Sequence, residues 1–234
     1  IDAGLMFPEE DMLGVDLVIP DVSYVEERLH KLRGIIITHG HEDHTGALPY
    51  VLPRLRLPNG KMPPVFCTRL TRGLIAVKLD EHKLLKSADL RIVRPGERIK
   101  LGRFGVEFVH MTHSIPDSAA IAIQTPLGTV FHTGDFKFDH TPIMGAPPDL
   151  MRIAELGREG VLLLFSDSTY ADTAGYTPSE KSISETLDRI MAGAEGRVIV
   201  ATFASLISRI QQVIDAAAKS GRQVFVTGRS MMKN

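Results

Sequence analysis

The sequence predicts an α/β fold in which reactive side chains collect at the carboxyl ends of strands. Three observations predict it. The apolar run Gly34-Ile35-Ile36-Ile37-Thr38 breaks into His39-Gly40-His41-Glu42-Asp43-His44, and residues 45–52 read as the turn and helix that follow. Two later strand-like stretches, 105–109 and 128–131, likewise open onto segments carrying histidine and aspartate. The last third alternates strand-length and helix-period apolar runs, the pattern of a βαβ unit with parallel strands. Open α/β sheets place their ligands at such strand ends.

In the first cluster, residues of an extended segment alternate sides, so His39 and His41 point the same way while Gly40 lets the backbone turn closely. That pair can grip one ion. Asp43 and His44 come after the turn and face elsewhere, placed to hold a second. Imidazole with carboxylate suits zinc best, with manganese and iron as alternatives. A solvated polar loop is the competing reading, and the density and spacing of the ligand types argue against it. Further ligands must come from later segments. Met111 to Asp117 supplies His113, and Phe131 to Asp139 supplies Asp135, whose two oxygens can bridge two ions. His110 and His132 are rivals, but a histidine inside an apolar strand is more often packed than ligating, which puts His113 ahead. His30, His82 and His140 have no partner spacing and read as surface or structural.

The final third has its own organisation. Thr169 to Ser179 collects Gly175, Pro178 and several hydroxyl residues and reads as a hinge. Ser179 and Ser182 then precede an apolar rhythm at Ile183, Leu187, Ile190 and Met191, a capped helix. Val198 to Thr202 reads as a strand, 205–220 as a helix with Ile207, Ile210, Val213, Ile214 and Ala217 inward, and 223–227 as another strand. The loops Phe203-Ala204-Ser205 and Gly228-Arg229-Ser230 would then share one side. Ser205, Arg229 and Ser230 are accordingly candidate phosphate or RNA contacts, with simple helix capping as the alternative.

A chain of 234 residues, 44% of them hydrophobic, can bury a sizeable core as one large or two smaller domains. Its longest apolar runs, such as Val161 to Phe165, are too short to cross a bilayer, and no signal peptide is visible. Cys67 is alone, so no internal disulfide forms, which fits a reducing cytoplasm. The net charge of −1 runs against a nonspecific nucleic-acid binder, which is usually strongly basic, so any polyanion site must be local. Arg54, Arg56, Lys61, Arg69 and Arg72 form a basic-leaning stretch after the histidine cluster, and ordinary solvated side chains explain it equally well.

The HxHxDH pattern, His113 and Gly134-Asp135 resemble the metallo-β-lactamase fold. Leu5 to Glu9, Thr112 to Asp117, Gly134 to Asp139, Ser166 to Thr169, Gly175 to Glu180 and Gly228 to Met231 resemble more narrowly the bacterial ribonuclease J family, over essentially the whole chain. The resemblance implies an incomplete metallo-β-lactamase αββα sandwich over 1–168, then the first part of an α/β β-CASP domain with parallel strands over 169–234. It implies that Ile1 to Gly4 lies within a strand, that earlier strands precede it, and that the β-CASP domain continues past Asn234. It also implies a metal set. His39, His41 and His113 would hold one zinc, Asp43 and His44 a second, and Asp135 would bridge. The second site would lack a further histidine found later in the family. Asp43, His44 and Asp135 would be catalytic, while Asp2 and Asp167 would orient from behind the ligands. The implied activity is hydrolysis of RNA phosphodiester bonds, internally or from the 5′ end, by a homodimer or larger homo-oligomer, within an RNA-degrading complex in some members. Other readings of the same pattern are a DNA nuclease, a thioesterase, a lactonase or a non-catalytic scaffold.

Overall fold

Period-two alternation in short strands decides the layering. The computed structural model describes residues 1–233; Asn234 and the side chains of Arg229 and Lys233 lie outside that description. β1 (Ile35–Ile36), β2 (Val65–Cys67) and β3 (Leu90–Ile92) form a parallel sheet in that order. β4 (Arg98–Leu101), β5 (Phe104–His110), β6 (Ala119–Thr125), β7 (Gly128–His132) and β8 (Val161–Phe165) form a second, antiparallel until β8 joins β7 in parallel. The helices are α1 (Ser23–Glu26), α2 (Glu42–Thr45), α3 (Leu48–Val51), α4 (Arg69–Glu81), α5 (Leu150–Glu159), α6 (Lys181–Gly193), α7 (Ile207–Lys219) and α8 (Arg229–Lys233).

Ile36 and Phe66 turn toward the second sheet and pack with Val106, Phe108 and Ile121 between the two sheets. Their neighbours Ile35, Ile37, Val65 and Cys67 turn the other way, onto Leu48 and Val51 of α3 and Ile75 and Leu79 of α4. Across the second sheet, Val109, Ala120, Ala122 and Phe131 meet Leu156 of α5. Helix, sheet, sheet, helix is the αββα order the sequence led us to expect. A long-range cap starts α4 and a local one starts α5. Asp117 accepts from Leu70 N at 2.9 Å at the start of α4, and Asp149 accepts from Arg152 N at 3.0 Å at the start of α5. Arg152 in turn reaches back to the buried Glu107 on β5 at 2.8 Å.

The last third is more helical than expected. α6 and α7 form close to their expected positions, with Ser179 Oγ accepting from Lys181 N at 3.2 Å. The two segments expected to be strands, 198–202 and 223–227, run without a ladder among the described residues. Ile199 and Phe225 are 89% and 86% exposed, so neither segment buries its apolar side chains against a neighbouring layer. Parallel pairing lies instead in β1, β2 and β3 and between β7 and β8. At the other end, Ile1 to Gly4 is not a strand: Asp2 takes φ +58° and its N–H donates to Ile36 O at 2.8 Å.

Candidate metal centre

β1 ends at Ile36, yet Ile37 N still donates to Phe66 O at 2.9 Å, so Thr38 and His39 leave the sheet at its carboxyl edge. His41 is extended and heads α2, whose single turn carries Asp43 and His44 back toward His39. Thr45 closes that turn through its N–H and hydroxyl, both donating to His41 O at 2.9 Å. The first residues of the chain brace it from outside: Ala3 N donates to His44 O at 2.8 Å and Leu5 N to Glu42 O at 3.2 Å. Gly4 is needed there because a Cβ would lie 1.6 Å from the Asp43 carbonyl oxygen.

His39, His41 and His113 bring ligating nitrogens within 4.8 Å of one another, and His39, His44 and Asp135 form a second such group. His39 thus belongs to both groups, not to the first alone. His44 Nε2 lies 3.3 Å from Asp135 Oδ1 and 3.6 Å from Asp43 Oδ2, while His113 Nε2 lies 3.8 Å from Asp135 Oδ2. Asp135 therefore stands between His44 and His113 with one oxygen toward each. The rival histidines are engaged elsewhere: His110 Nε2 is 2.9 Å from Ala146 O, and His132 Nδ1 accepts from Gly134 N at 3.0 Å. His82 packs edge-on against Tyr50.

Behind the cluster, Asp2 Oδ2 lies 2.8 Å from His44 Nδ1. Asp167 Oδ2 accepts from Phe136 N at 3.4 Å and Oδ1 from Thr169 N at 2.8 Å, tying the loop after Asp135 to the end of β8. Two further features carry no signal in the sequence beyond residue identity. Thr38, fully buried, bonds both Asp2 and His39. Glu180 joins Lys137 and Arg209, each at 2.8 Å, while its N–H donates to Asp139 at 2.9 Å.

Burial and neighbouring imidazoles hold His39 far below the usual histidine range. Burial likewise draws His113 down to about 4, with His41 adding to the effect. At His44 burial opposes charge, but the carboxylates of Asp135, Asp2 and Asp43 outweigh it and push the imidazole up to about 12. Hydrogen bonding to His44 lowers Asp43 and Asp135 despite their burial. Burial lowers His41, whose Nε2 is enclosed and meets no hydrogen-bond partner among the described residues. The Asp43 carboxylate and the Ser205 backbone oppose that shift. Neutral imidazoles beside a spot that favours positive charge, with carboxylates on one side, fit a borderline-soft divalent cation.

The cluster opens onto a cavity of about 1570 Å³ lined in part by His41 and Asp43, by Leu74 and Lys78 of α4, and by Ser205 and Ser230. Two of the candidate phosphate contacts thus share a cavity with the histidines; the side chain of the third, Arg229, lies outside the described residues. The basic stretch does not line this cavity. Arg54 is held by Glu26 at 2.7 Å and Arg56 by Gly60 O at 3.0 Å. Lys78, paired with Glu42, does line the cavity.

A family model described as a beta-lactamase superfamily domain matches residues 2–191, and one described as the beta-CASP domain of ribonuclease J matches residues 195–234. The ribonuclease J of Thermus thermophilus is 51% identical over 100% of this chain and 41% of its own length. That of Synechocystis sp. is 48% identical over 99% of this chain and 36% of its own length. That of Mycobacterium tuberculosis H37Rv is 46% identical over 100% and 41%. The chain spans about two fifths of the length of these relatives. A solved structure of a protein of unknown function from Enterococcus faecalis V583 matches with a TM-score of 0.61 over 92% of this chain and 56% of that one. At 17% identity, that is a likeness of fold alone.

Proposed function

Because this chain belongs to the beta-lactamase superfamily and continues into a beta-CASP domain of the ribonuclease J type, we propose that it is part of a zinc-dependent ribonuclease hydrolysing RNA phosphodiester bonds. The observation that carries the proposal is the position of Asp135 between His44 and His113, in a cluster whose His41 and Asp43 line the cavity of about 1570 Å³. In this reading His39, His41 and His113 would hold one zinc and Asp43 and His44 a second, with Asp135 able to offer an oxygen to each. Bound zinc supplies Lewis acidity toward phosphoryl oxygens and a nucleophile at neutral pH.

The chain's own residues do the positioning. Asp2 fixes the His44 ring, and Asp167 holds the backbone next to Asp135. Ser205 and Ser230 offer hydroxyls to the phosphates of a strand lying in the cavity, with Arg229 on the same short helix as Ser230. The catalytic set is Asp43, His44 and Asp135. Residues 1–168 form the hydrolase domain and 169–234 the start of the β-CASP domain. Cleavage proceeds from the 5′ end, internally, or both, in a cytoplasmic homo-oligomer that joins an RNA-degrading complex. No helix among the described residues is long and apolar enough to cross a membrane.

The test is to incubate the full-length protein carrying this chain with 5′-monophosphorylated RNA, matched DNA and a generic ester, with zinc content measured alongside. RNA cleavage that follows zinc content supports the proposal. Preference for DNA or for the ester, or zinc without cleavage of any substrate, would replace it with another hydrolase of this fold or with a scaffold.

A further inference from the structure

We propose that Thr38 is a positioning residue that sets the tautomer of His39 by relaying the Asp2 carboxylate to it. The inference rests on the reading of His39 as a metal ligand.

Thr38 and His39 are both 0% exposed, so neither side chain meets bulk solvent. The Thr38 N–H donates to Asp2 Oδ1 at 2.8 Å, which anchors the residue. Its hydroxyl then lies between two groups, 2.9 Å from Asp2 Oδ2 and 3.0 Å from His39 Nδ1. A hydroxyl has one proton and two lone pairs, and a carboxylate has only acceptors. The Thr38 proton therefore goes to Asp2, and toward His39 the oxygen can only accept. Nδ1 of His39 must carry the hydrogen, which leaves the lone pair on Nε2.

Nε2 is the nitrogen that faces the cluster, 3.1 Å from His41 Nδ1. The opposite arrangement, with Thr38 donating to His39, would set two lone pairs against each other at Asp2 and aim an N–H where a ligand lone pair is wanted. Asp2 Oδ2 also lies 2.8 Å from His44 Nδ1, so one carboxylate orders two imidazoles, His44 directly and His39 through the hydroxyl.

Packing holds the relay in place. Gly134, at φ +59°, lies against Thr38, where a Cβ would meet Thr38 Cβ at 3.1 Å and Cγ2 at 3.4 Å. The Thr38 methyl thus faces the glycine that precedes Asp135, and the hydroxyl is left to Asp2 and His39. Serine preserves the hydroxyl without the methyl; valine preserves the shape without the hydroxyl.

The test uses the full-length protein carrying this chain, labelled with ¹⁵N-histidine and stripped of metal. Long-range ¹H–¹⁵N correlation should show His39 with its hydrogen on Nδ1. In parallel, chelator competition with zinc alone should show Thr38→Val weakened about 10–100-fold, the usual loss when a partner behind a ligand is removed. Thr38→Ser should stay near the wild type. A hydrogen on Nε2 of wild-type His39, wild-type zinc affinity in Thr38→Val, or Thr38→Ser as weak as Thr38→Val would overturn the relay. If Thr38→Val does not fold, the tautomer measured in the wild type decides alone. His39→Ala separates this from the metal site itself: a failed relay with zinc still lost in His39→Ala leaves the site standing, whereas zinc retained in His39→Ala removes the site and the relay together.

Discussion

Asp2 and His44 are 42 residues apart in sequence and 2.8 Å apart in space, carboxylate oxygen to Nδ1. Asp2 holds this position in a left-handed backbone conformation, φ +58°, which aspartate and asparagine tolerate better than most residues. Asp2→Asn therefore keeps the backbone and disturbs the bond. We expect zinc affinity to fall about 10–100-fold with unchanged circular dichroism. Chelator competition measures this, and wild-type affinity would remove Asp2 from the site.

Gly4 tests whether the turn carrying Asp43 and His44 depends on the chain that crosses it. Alanine there would overlap the Asp43 carbonyl, which is backbone and cannot rotate away. Gly4→Ala should lose roughly 1–3 kcal/mol of stability and reduce zinc per chain. Gly73→Ala is the control, since Gly73 lies within α4 with nothing near its Cβ position, and it should gain about 0.5–1 kcal/mol. Thermal melts and metal analysis on both variants separate crowding from a general effect of alanine.

The contact between the Asp135 loop and the last third is electrostatic and should be acid-sensitive. Burial opposes charge on Glu180, but Lys137 and Arg209 outweigh it and hold its carboxyl below the usual glutamate value of 4.5. Hydrogen bonds from Ser179, Glu180 and Thr141 likewise hold Asp139 low against its burial. A lowered folded-state pKa means stability that is complete above the ordinary value and is lost as pH falls through the lowered one. Glu180→Gln should therefore destabilise at pH 7, on the order of 1–3 kcal/mol, and much less at pH 3. Melting temperatures at the two pH values check the sign; an equal loss at both would mean that charge is not what joins these segments.

Much of the candidate site is legible because its side chains are local. His39, His41, Asp43 and His44 fall within one strand end and one turn, so spacing alone brings them together. His113 and Asp135 are legible for a related reason, each following a strand of the same sheet. What spacing does not encode is which partner a residue finds across the sheet. Thr38 reads as the last residue of a strand, and only the fold brings Asp2 against its hydroxyl. Glu180 sits inside a legible segment, but its tie to Lys137 depends on how the last third settles on the sandwich. The apolar patterns at 198–202 and 223–227 read as strands because β-propensity reports residue type, whereas a strand exists only through its ladder. Arg54 and Arg56 look like a basic patch until Glu26 and Gly60 O are seen to hold them.

If the histidine cluster is a zinc centre that cleaves RNA, as proposed, His41→Ala should remove both properties at once. His41 belongs to the three-imidazole group, and its Nε2 has no hydrogen-bond partner among the described residues. In the full-length protein, zinc per chain and cleavage of 5′-monophosphorylated RNA should be measured on the same samples of wild type and variant. The variant should lose zinc and RNA cleavage together while remaining folded. Normal zinc content with retained cleavage would contradict it.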